Sequence, residues 1–590
     1  MRLIEIRVLD GPNVYRLEPT VKVEVMVGRR RTWYGQRLPG AHARVRLGAA
    51  VPVADAPQPI RDLAAWVRRL HVDSGAASWL AAERRDGAAT RTRLPVTLHR
   101  SSEPGHWVVA YPWRERERAE TLAEAAFRLV ELGVEATVRP GGSRTLARAL
   151  RAIAQAGTTP PPWIRDAQRR IPTVSISGTN GKSTTTRMIS HILRVAGRHV
   201  GTTTSDGVLF DEVLVEAGDL TGPAGARAVF DERHAEVAVL ETARGGIVLK
   251  GIGYESNDAS VLTNVSPDHL DVQGIHTLPE LAEVKATVAR ITRPAGAVVL
   301  NAEDPLVAAV ARAVRARVVF FSLDAGNARV RRHLARGGTA MVLDGEWLVE
   351  RVGASRHRIA RIDAIPSAIA GLARHNIANA LAAAGAARTL GATLTEVAGG
   401  LSTFQPTADQ APGRLNLYRL GERLVIVDYA HNEAGATVIL DVAEGLAGTR
   451  VERSGRAFVT MVIGTAGDRP DDTLRGMGRI AAERCDEVAI KETVGYLRGR
   501  SRESVVGELL AGVRDGGGRP GHVAVYEDEP LAVRGELTDT ARVASGILPG
   551  VLVVMCHADR DGVVDVLREL GATPVSGADL AALRARMRSR

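Results

Sequence analysis

The sequence predicts an α/β protein with three parts: a small α+β N-terminal domain, a central P-loop domain with a mostly parallel sheet, and a C-terminal Rossmann-like domain. Its 590 residues are too many for one hydrophobic core. A Pro-rich break, GTTPPP, separates two patterns of apolar residues, and a glycine-rich loop follows soon after it. We expect domains at residues 1–160, 161–411 and 412–590.

The first part mixes strand-like and helical patterns. Strand-like stretches cover Leu3–Leu9, Val21–Val27 and Trp107–Tyr111, and a helical pattern covers Ala119–Leu132. This mixture predicts a small α+β domain.

Short apolar runs followed by helical stretches characterise the rest of the chain. Such alternation predicts parallel strands covered by helices. The central runs are Val174–Ser177, Ala238–Leu240, Ala259–Leu262 and Ala297–Leu300, and the C-terminal runs are Leu424–Val427, Ala457–Ile463, Glu487–Ile490 and Val551–Met555.

The composition is that of a cytoplasmic globular protein. Hydrophobic residues make up 45% and charged residues 24%, and no apolar run approaches the roughly 20 residues that cross a bilayer. The N-terminus lacks the basic start and apolar block of a secretory signal. Two cysteines, Cys485 and Cys556, are too few for a disulfide framework and indicate a reducing compartment.

The basic residues are unevenly distributed. Residues 1–151 hold 26 Lys and Arg against 16 Asp and Glu, so the first quarter carries the whole formal charge of +10. A basic region attracts acidic partners without choosing among them, and a solvated Arg-rich surface explains it equally well. Only five lysines occur, at positions 22, 182, 250, 285 and 491, which hints that some of them are needed as primary amines.

A phosphate-binding loop follows the run Val174–Ser177. Glycines let backbone N–H groups surround phosphate oxygens, a lysine reaches the terminal phosphates, and a hydroxyl binds magnesium. The general P-loop pattern would have glycine where this chain has Ile176. The loop and the start of its helix predict an ATP site at Gly178, Thr179, Asn180, Gly181, Lys182, Ser183 and Thr184.

GTNGKS after a strand resembles the phosphate loop of the Mur ligase family. Further segments follow in that family's order, and they are most similar to the Mur-type half of the cyanophycin synthetases: TTTSDGV, GDLTGP, VAVLETARGGIV, LTNVSPDHLD, LAEVKATVAR, LNAEDP, RHNIANALAA and VDYAHN. Residues 1–160 resemble the N-terminal domain of that family, and GTTPPP leads directly into the Mur-type half without the family's ATP-grasp domain.

The resemblance implies a catalytic and magnesium-binding set. Lys182, Glu241, His269 and Lys285 match the catalytic positions, and Ser183, Glu241, His269 and Lys285 match the metal ligands. Lys285 corresponds to the lysine that Mur ligases carbamylate with carbon dioxide, which turns a cation into an anion that binds magnesium. Arginine cannot take that role.

The resemblance also assigns residues to the nucleotide. Asn376 in RHNIAN matches a position that contacts adenine, and Asp428 in VDYAHN matches a ribose-binding aspartate, with His431 completing the motif. Arg414 is expected at the γ-phosphate, where a guanidinium neutralises phosphoryl charge.

These matches imply an ATP- and magnesium-dependent ligase that activates a carboxylate as an acyl phosphate and couples it to an amino acid. In the family, arginine is joined to an aspartate side chain of cyanophycin, and this is our first hypothesis. Two roles stay open for Glu492 and Glu527, contact with a guanidinium and contact with solvent alone. Two alternatives stay open: a ligase for a small carboxylate and an amine, and a non-catalytic polymer-binding accessory protein.

The expected partners follow from that hypothesis. They are an acidic peptide or small carboxylate, an amino acid, a separate ATP-grasp protein that would extend the backbone, and further copies of the chain. We expect neither nucleic acid nor membrane as a partner, since no recognised reading motif accompanies the basic charge.

Overall fold

The computed structural model describes residues 1–28, 47–76, 94–138, 143–268, 270–448, 458–467, 469–492, 494–538 and 549–588. The chain forms two compact units. The first contains Met1–Gly178, His199–Val265 and Leu270–Val318, and the second contains Thr179–Arg198, Ser266–His269 and Val319–Arg590. Strands and helices are numbered along the chain, and the predicted division into three domains stays a prediction.

The N-terminal part of the first unit is an antiparallel sheet covered by helices. The sheet has the order β1-β2-β4-β3. Val21, Val23 and Val25 face the core, fully buried, because alternate side chains of a strand point to one face. The elements are β1 (Arg2–Leu9), β2 (Thr20–Met26), β3 (Thr97–Arg100), β4 (His106–Pro112), α1 (Gln58–Asp73), α2 (Arg116–Glu131) and α3 (Arg144–Gln155).

Buried tryptophans fix the N-terminal core. The indole N–H of Trp113 donates to the Leu9 carbonyl at 2.9 Å, and that of Trp66 donates to the Val134 carbonyl at 2.9 Å. Each large apolar ring thus has its polar atom satisfied. This part also joins the rest of the unit by backbone hydrogen bonds, from Asp10 N–H to Lys250 C=O at 2.6 Å and from Ile252 N–H to Pro12 C=O at 2.8 Å.

The second sheet of the first unit is mostly parallel. Within it the order is β11-β10-β5-β9-β6-β7-β8, parallel from β11 to β6 and antiparallel in the last two strands. Its elements are β5 (Thr173–Ser177), β6 (Val200–Thr204), β7 (Gly207–Phe210), β8 (Val213–Ala217), β9 (Val237–Glu241), β10 (Asn257–Leu262), β11 (Thr292–Asn301), α5 (Pro223–Asp231), α6 (Arg244–Leu249), α7 (Leu278–Lys285), α8 (Thr287–Arg290) and α9 (Pro305–Ala309).

The second unit begins with the helix that follows the phosphate loop. Helix α4 (Lys182–Val195) packs on two helices of the same unit, one of them alanine-rich. Small alanines allow this alanine-rich helix to be buried on several sides. The elements of this part are β12 (Arg317–Ser322, which belongs to this unit from Val319 on), β13 (Thr339–Asp344), β14 (Trp347–Val352), β15 (Ser355–Arg361), α10 (Ala328–Leu334), the alanine-rich α11 (Arg374–Thr389) and α12 (Leu394–Thr403).

The C-terminal sheet also lies in the second unit, in the order β20-β19-β18-β21-β17-β16-β22. The five strands from β20 to β17 are parallel. The elements are β16 (Asn416–Leu420), β17 (Arg423–Asp428), β18 (Phe458–Ile463), β19 (Glu487–Lys491), β20 (Ala524–Tyr526), β21 (Pro549–Met555), β22 (Thr573–Pro574), α13 (Glu433–Gly448), α14 (Asp471–Arg484), α15 (Arg502–Asp515), α16 (Glu529–Thr538), α17 (Arg560–Glu569) and α18 (Gly577–Arg588).

The α/β class with mostly parallel sheets is confirmed, and the predicted strand runs coincide with strands. Val174–Ser177 lies in β5, Ala238–Leu240 in β9, and Leu424–Val427 in β17. Ala457, the first residue of one predicted run, lies outside the described residues. Within the described part of the chain, no helix combines the length and apolar character needed to cross a membrane.

Candidate active site

Three parallel strands of the first unit end together beside the start of the phosphate loop. Ile176 in β5 pairs with Glu241, the last residue of β9, and Ser177 pairs with Leu262, the last residue of β10. The carboxyl ends of parallel strands are where α/β sheets hold ligands. Ile176 is fully buried within β5, so the position at which a general P-loop has glycine belongs here to the strand.

Gly178 opens the loop in a conformation that requires glycine. Its φ is +148°, and a Cβ on it would lie 1.9 Å from the Thr263 side-chain oxygen. The Gly178 carbonyl accepts a hydrogen bond from Lys285 Nζ at 2.6 Å. Lys285 is the last residue of α7 and is 4% exposed, and Glu241 is 3% exposed. These three predicted residues therefore lie in the first unit, with two of them in direct contact.

The remainder of the loop lies in the second unit and leads into α4. Gly181 caps this helix with φ +82°, and a Cβ there would lie 2.4 Å from Asn379 Oδ1. The Lys182 ammonium folds back over the loop and donates to the Thr179 carbonyl at 2.9 Å. Ser183 and Thr184 lie in the first turn of α4, where unpaired backbone N–H groups and the helix dipole attract anions.

Arg414 reaches the same helix start. Its Nη2 donates to Ser183 Oγ at 3.5 Å, and its guanidinium lies over the Tyr429 ring, 4.4 Å from the ring centroid. A guanidinium held by stacking keeps its charge and its donor fork. The arrangement brings two predicted nucleotide-binding residues from distant parts of the sequence together.

A strained backbone beside Arg414 is held by a carboxylate. Leu415 has φ +56°, which is unfavourable for a residue with a Cβ. The Asp428 carboxylate accepts hydrogen bonds from Leu415 N–H and Ala430 N–H, each at 2.7 Å. Burial raises the pKa of Asp428, while Arg414 and the two N–H groups act in the opposite direction. Asp428 thus sets the backbone that presents Arg414.

The segment after Asp428 also contacts the phosphate loop. The side-chain amides of Asn180 and Asn432 exchange hydrogen bonds at 3.2 and 3.4 Å. His431 Nε2 lies 3.8 Å from Asp268 Oδ1, to which Arg469 donates at 2.6 Å. Asp268 precedes His269, the predicted metal ligand, which lies outside the described residues.

Asn376 is buried in α11 of the second unit. Its amide donates to the Ser367 carbonyl at 3.0 Å, and its oxygen accepts from Asn379 at 3.2 Å. Asn379 is also the residue that Gly181 approaches, so Asn376 is linked to the loop through one side chain.

The segment that contains the phosphate loop also matches a known protein family. Residues 176–387 match the Mur ligase middle domain. This segment is similar to the Mur ligase middle domain. The resemblance of its motifs to the Mur ligase family is thereby confirmed.

Named relatives extend the similarity beyond the Mur ligase middle domain. The cyanophycin synthetase of Trichormus variabilis is 41% identical over 345 residues, which are 58% of this chain and 37% of that protein. The cyanophycin synthetase of Synechocystis is 40% identical over 62% of this chain and 40% of that protein. The UDP-N-acetylmuramoylalanine–D-glutamate ligase of Symbiobacterium thermophilum is 33% identical over 48% of this chain and 59% of that one.

The chain thus spans about two fifths of the length of the cyanophycin synthetases that it matches. Among solved structures, the folylpolyglutamate synthase of Mycobacterium tuberculosis complexed with ADP and AMPPCP aligns with a TM-score of 0.48 at 19% identity, over 69% of this chain and 92% of that one.

Sequence reasoning missed several residues around the Mur ligase middle domain. The Thr263 side chain lies against Gly178, the Asn379 side chain lies against Gly181, and Asn432 forms hydrogen bonds with Asn180. Two of these could have been found, because Asn379 lies one helical turn after Asn376 and Asn432 directly follows His431. Thr263 carries no such local signal.

Two of the predicted magnesium ligands carry oxygen donors of the kind that magnesium prefers: the hydroxyl of Ser183 in the second unit and the carboxylate of Glu241 in the first. Within the described residues no group of three or more His, Cys, Asp or Glu could hold a metal. Magnesium characteristically takes few protein ligands and completes its shell with water and phosphate oxygens. Lys285 as a free amine is a donor to Gly178, and only its carbamate would add a metal-binding oxygen.

Proposed function

We propose that this protein is an ATP-dependent ligase that activates a carboxylate as an acyl phosphate and joins it to the amine of an amino acid. The observation that carries this proposal is the contact of Arg414 with Ser183 at 3.5 Å, beside Lys182 on the first turn of α4. Two cations from separate segments meet where the terminal phosphates of a loop-bound nucleotide would lie. Phosphoryl transfer needs this concentration of positive charge.

The chemistry proceeds in two displacements. A carboxylate oxygen attacks the γ-phosphorus, the bond to the β-phosphate oxygen breaks, and ADP leaves. The amine nitrogen then attacks the acyl carbon, and phosphate departs with the oxygen that came from the carboxylate. The nitrogen loses one proton as the amide forms.

The chain's own groups serve the first displacement. The backbone N–H groups of Gly181 to Ser183 and the Lys182 ammonium hold phosphate oxygens, and Arg414 neutralises the charge that moves with the phosphoryl group. Magnesium, when bound, supplies Lewis-acid charge stabilisation at the same phosphates. We assign four residues to the binding of magnesium: Ser183, Glu241, His269 and carbamylated Lys285. We assign three others to the binding of the nucleoside: Asn376, Asp428 and His431.

We propose arginine as the amine and an aspartate side chain of a cyanophycin-like acceptor as the carboxylate. Support comes from the 40–41% identity to two cyanophycin synthetases. The excess of basic residues in 1–151 would attract an acidic polymer over a Debye length of about 8–10 Å, and salt would weaken that attraction.

Glu492 is engaged within the chain, because its carboxylate forms an ion pair with Arg502. It is a candidate for a substrate guanidinium only where that pair opens.

The test is a substrate screen. Purified protein is incubated with ATP, magnesium and each proteinogenic amino acid, with and without a short aspartate oligomer, while phosphate release and product mass are recorded. Arginine-dependent release with addition of one arginine to the oligomer supports the proposal. Turnover with an amino acid in the absence of the oligomer would replace the acceptor, and no turnover with any pair would reject the proposed substrates.

Two lysine variants control this screen. Lys182→Ala removes the loop cation and should abolish turnover. Lys250→Ala makes the same change at an exposed residue that caps α6, and it should leave turnover unchanged.

A further inference from the structure

A buried ion pair lies at the carboxyl edge of the C-terminal sheet, outside the residues assigned above. Lys491 ends β19 and Glu529 begins α16, each is 1% exposed, and the ammonium contacts the carboxylate directly. A buried ion pair is weak evidence for stability, because apolar residues of the same volume often serve as well. Its presence therefore calls for another role.

Glu529 shapes the turn that follows β21. Its carboxylate accepts hydrogen bonds from three consecutive backbone N–H groups, those of His557, Ala558 and Asp559, at 2.6 to 3.0 Å. Burial alone would raise the pKa of Glu529, but Lys491 and these N–H groups hold it below its usual range. The turn is thereby fixed around an ionised carboxylate.

Lys491 also determines which ring nitrogen of His557 carries the proton. Lys491 Nζ donates to His557 Nδ1 at 3.0 Å, so the proton of the neutral ring is on Nε2, which donates to the Ala430 carbonyl at 2.6 Å. Burial and the Lys491 charge keep the pKa of His557 well below its usual value. The ring thus serves as a fixed bridge from the ion pair to the segment after β17.

From Ala430 the contacts continue to the phosphate loop. The Tyr429 ring packs edge-on against His557, with centroids 5.2 Å apart, and its face carries the Arg414 guanidinium. Arg414 in turn donates to Ser183. An unbroken set of contacts within the second unit therefore runs from the ion pair to the start of α4.

The aliphatic part of the Lys491 side chain lies close to Gly464. A Cβ on Gly464 would lie 2.6 Å from Lys491 Cε, so the channel around the lysine stem is closely packed.

We propose that Lys491, Glu529 and His557 are positioning residues, which fix the segment Tyr429–Ala430 and through it hold Arg414 against the γ-phosphate end of the nucleotide site. The inference rests on the proposed function, since it gives Arg414 a phosphate to contact. Changes at these residues should therefore weaken the binding of ATP but not that of ADP, because ADP lacks the γ-phosphate.

The experiment measures the affinities of ATP and of ADP separately by calorimetry, together with the thermal unfolding midpoint. His557→Phe keeps the ring but removes the donor to Ala430. We expect ATP affinity to fall roughly tenfold while ADP affinity stays within about twofold. His557→Gln, whose amide can donate to Ala430, should restore most of the loss, and the same change at exposed His522 is the matched control.

A double-mutant cycle tests the path to Arg414. If His557 acts through Arg414, the double variant with Arg414→Ala should lose no more ATP affinity than Arg414→Ala alone. Tyr429→Leu, on a half-buried ring, should give the same selective loss and replaces His557→Phe if that variant does not fold. Unchanged ATP preference in a folded His557 or Tyr429 variant, or losses that add, would overturn the inference alone. A wild-type protein that binds no ATP would overturn the proposed function and this inference together.

Discussion

The amine of Lys285 donates a hydrogen bond to the carbonyl of Gly178 at 2.6 Å, which ties the end of α7 to the first residue of the phosphate loop. The two residues are 107 positions apart in sequence. A capping box at Thr277 and Glu280 fixes the residue at which α7 begins. The position of Lys285 at the other end of the helix is thereby defined. The contact requires a slender side chain with a terminal amine at a buried site.

Replacement of Lys285 tests whether that amine is modified. Lys285→Arg keeps the charge but cannot be carbamylated, and the larger guanidinium has little space at a residue 4% exposed. We expect ligase turnover to fall by roughly a hundredfold or more, in the range seen when one charge-stabilising group is lost. Phosphate release in carbon-dioxide-depleted buffer, then with bicarbonate restored, should recover only in the wild type. Wild-type turnover that does not depend on bicarbonate would argue against carbamylation.

Gly178→Ala tests the close approach of the loop to Thr263. The new Cβ would lie 1.9 Å from the Thr263 oxygen, so the loop must move and ATP binding should be lost. Gly197→Ala is the matched control, since Gly197 also has positive φ but no neighbour within 4 Å of an added Cβ. It should lower stability by about 1 kcal/mol and leave ATP affinity intact. Equal effects of the two variants on ATP affinity would show that backbone strain, and not contact, limits the site.

The amide pair Asn180–Asn432 should couple the phosphate loop to the segment after β17. Asn180→Ala and Asn432→Ala each remove one partner of a pair at 3.2 to 3.4 Å. We expect a coupling free energy of about 1 kcal/mol in ATP affinity from the four proteins of a double-mutant cycle. Additive losses would mean that the pair does not form when ATP binds.

Two buried histidines should make the protein sensitive to acid. Burial lowers the pKa of His71 and of His99 to about 4, against roughly 6.5 in an unfolded chain. Below about pH 6.5 the unfolded state binds more protons than the folded state. The contribution of the two neutral histidines to stability is therefore fully present above about pH 6.5 and is lost as the pH falls towards 4. The loss should be about 2 kcal/mol for each histidine at about pH 5.

Thermal unfolding at about pH 7.5 and about pH 5 measures this loss. His71→Leu should flatten the dependence of the unfolding midpoint on pH, whereas the same change at exposed His522 should not. An unchanged slope in the His71 variant would place the acid sensitivity elsewhere.

The strands and the phosphate loop could be predicted because their signals are local. The run Val174–Ser177 and the glycines after it define strand, loop and helix within a dozen residues, and β5 and α4 lie there. Lys285 was singled out by its motif and by the scarcity of lysine. Its contact with Gly178 was not predicted, because which residues meet across 107 positions depends on the tertiary fold.

The cluster of Lys491, Glu529 and His557 lay beyond sequence reasoning for the same reason. Its members come from the ends of separate strands and the start of a helix, and no period of 2 or 3.6 residues relates them. Lys491 stands out in the sequence only as one of five lysines, and no local pattern distinguishes Glu529 from the other acidic residues. Burial of both side chains, visible only in the fold, distinguishes them from solvated charges.

The most direct test of the account follows the oxygen of the carboxylate. An aspartate oligomer labelled with heavy oxygen in its side-chain carboxylates is incubated with ATP, magnesium, arginine and the protein, and the phosphate is analysed by mass spectrometry. Activation through an acyl phosphate predicts one heavy oxygen in each phosphate released, with ADP as the other product and one arginine added per event. Phosphate without label, or AMP and pyrophosphate in place of ADP, would contradict it.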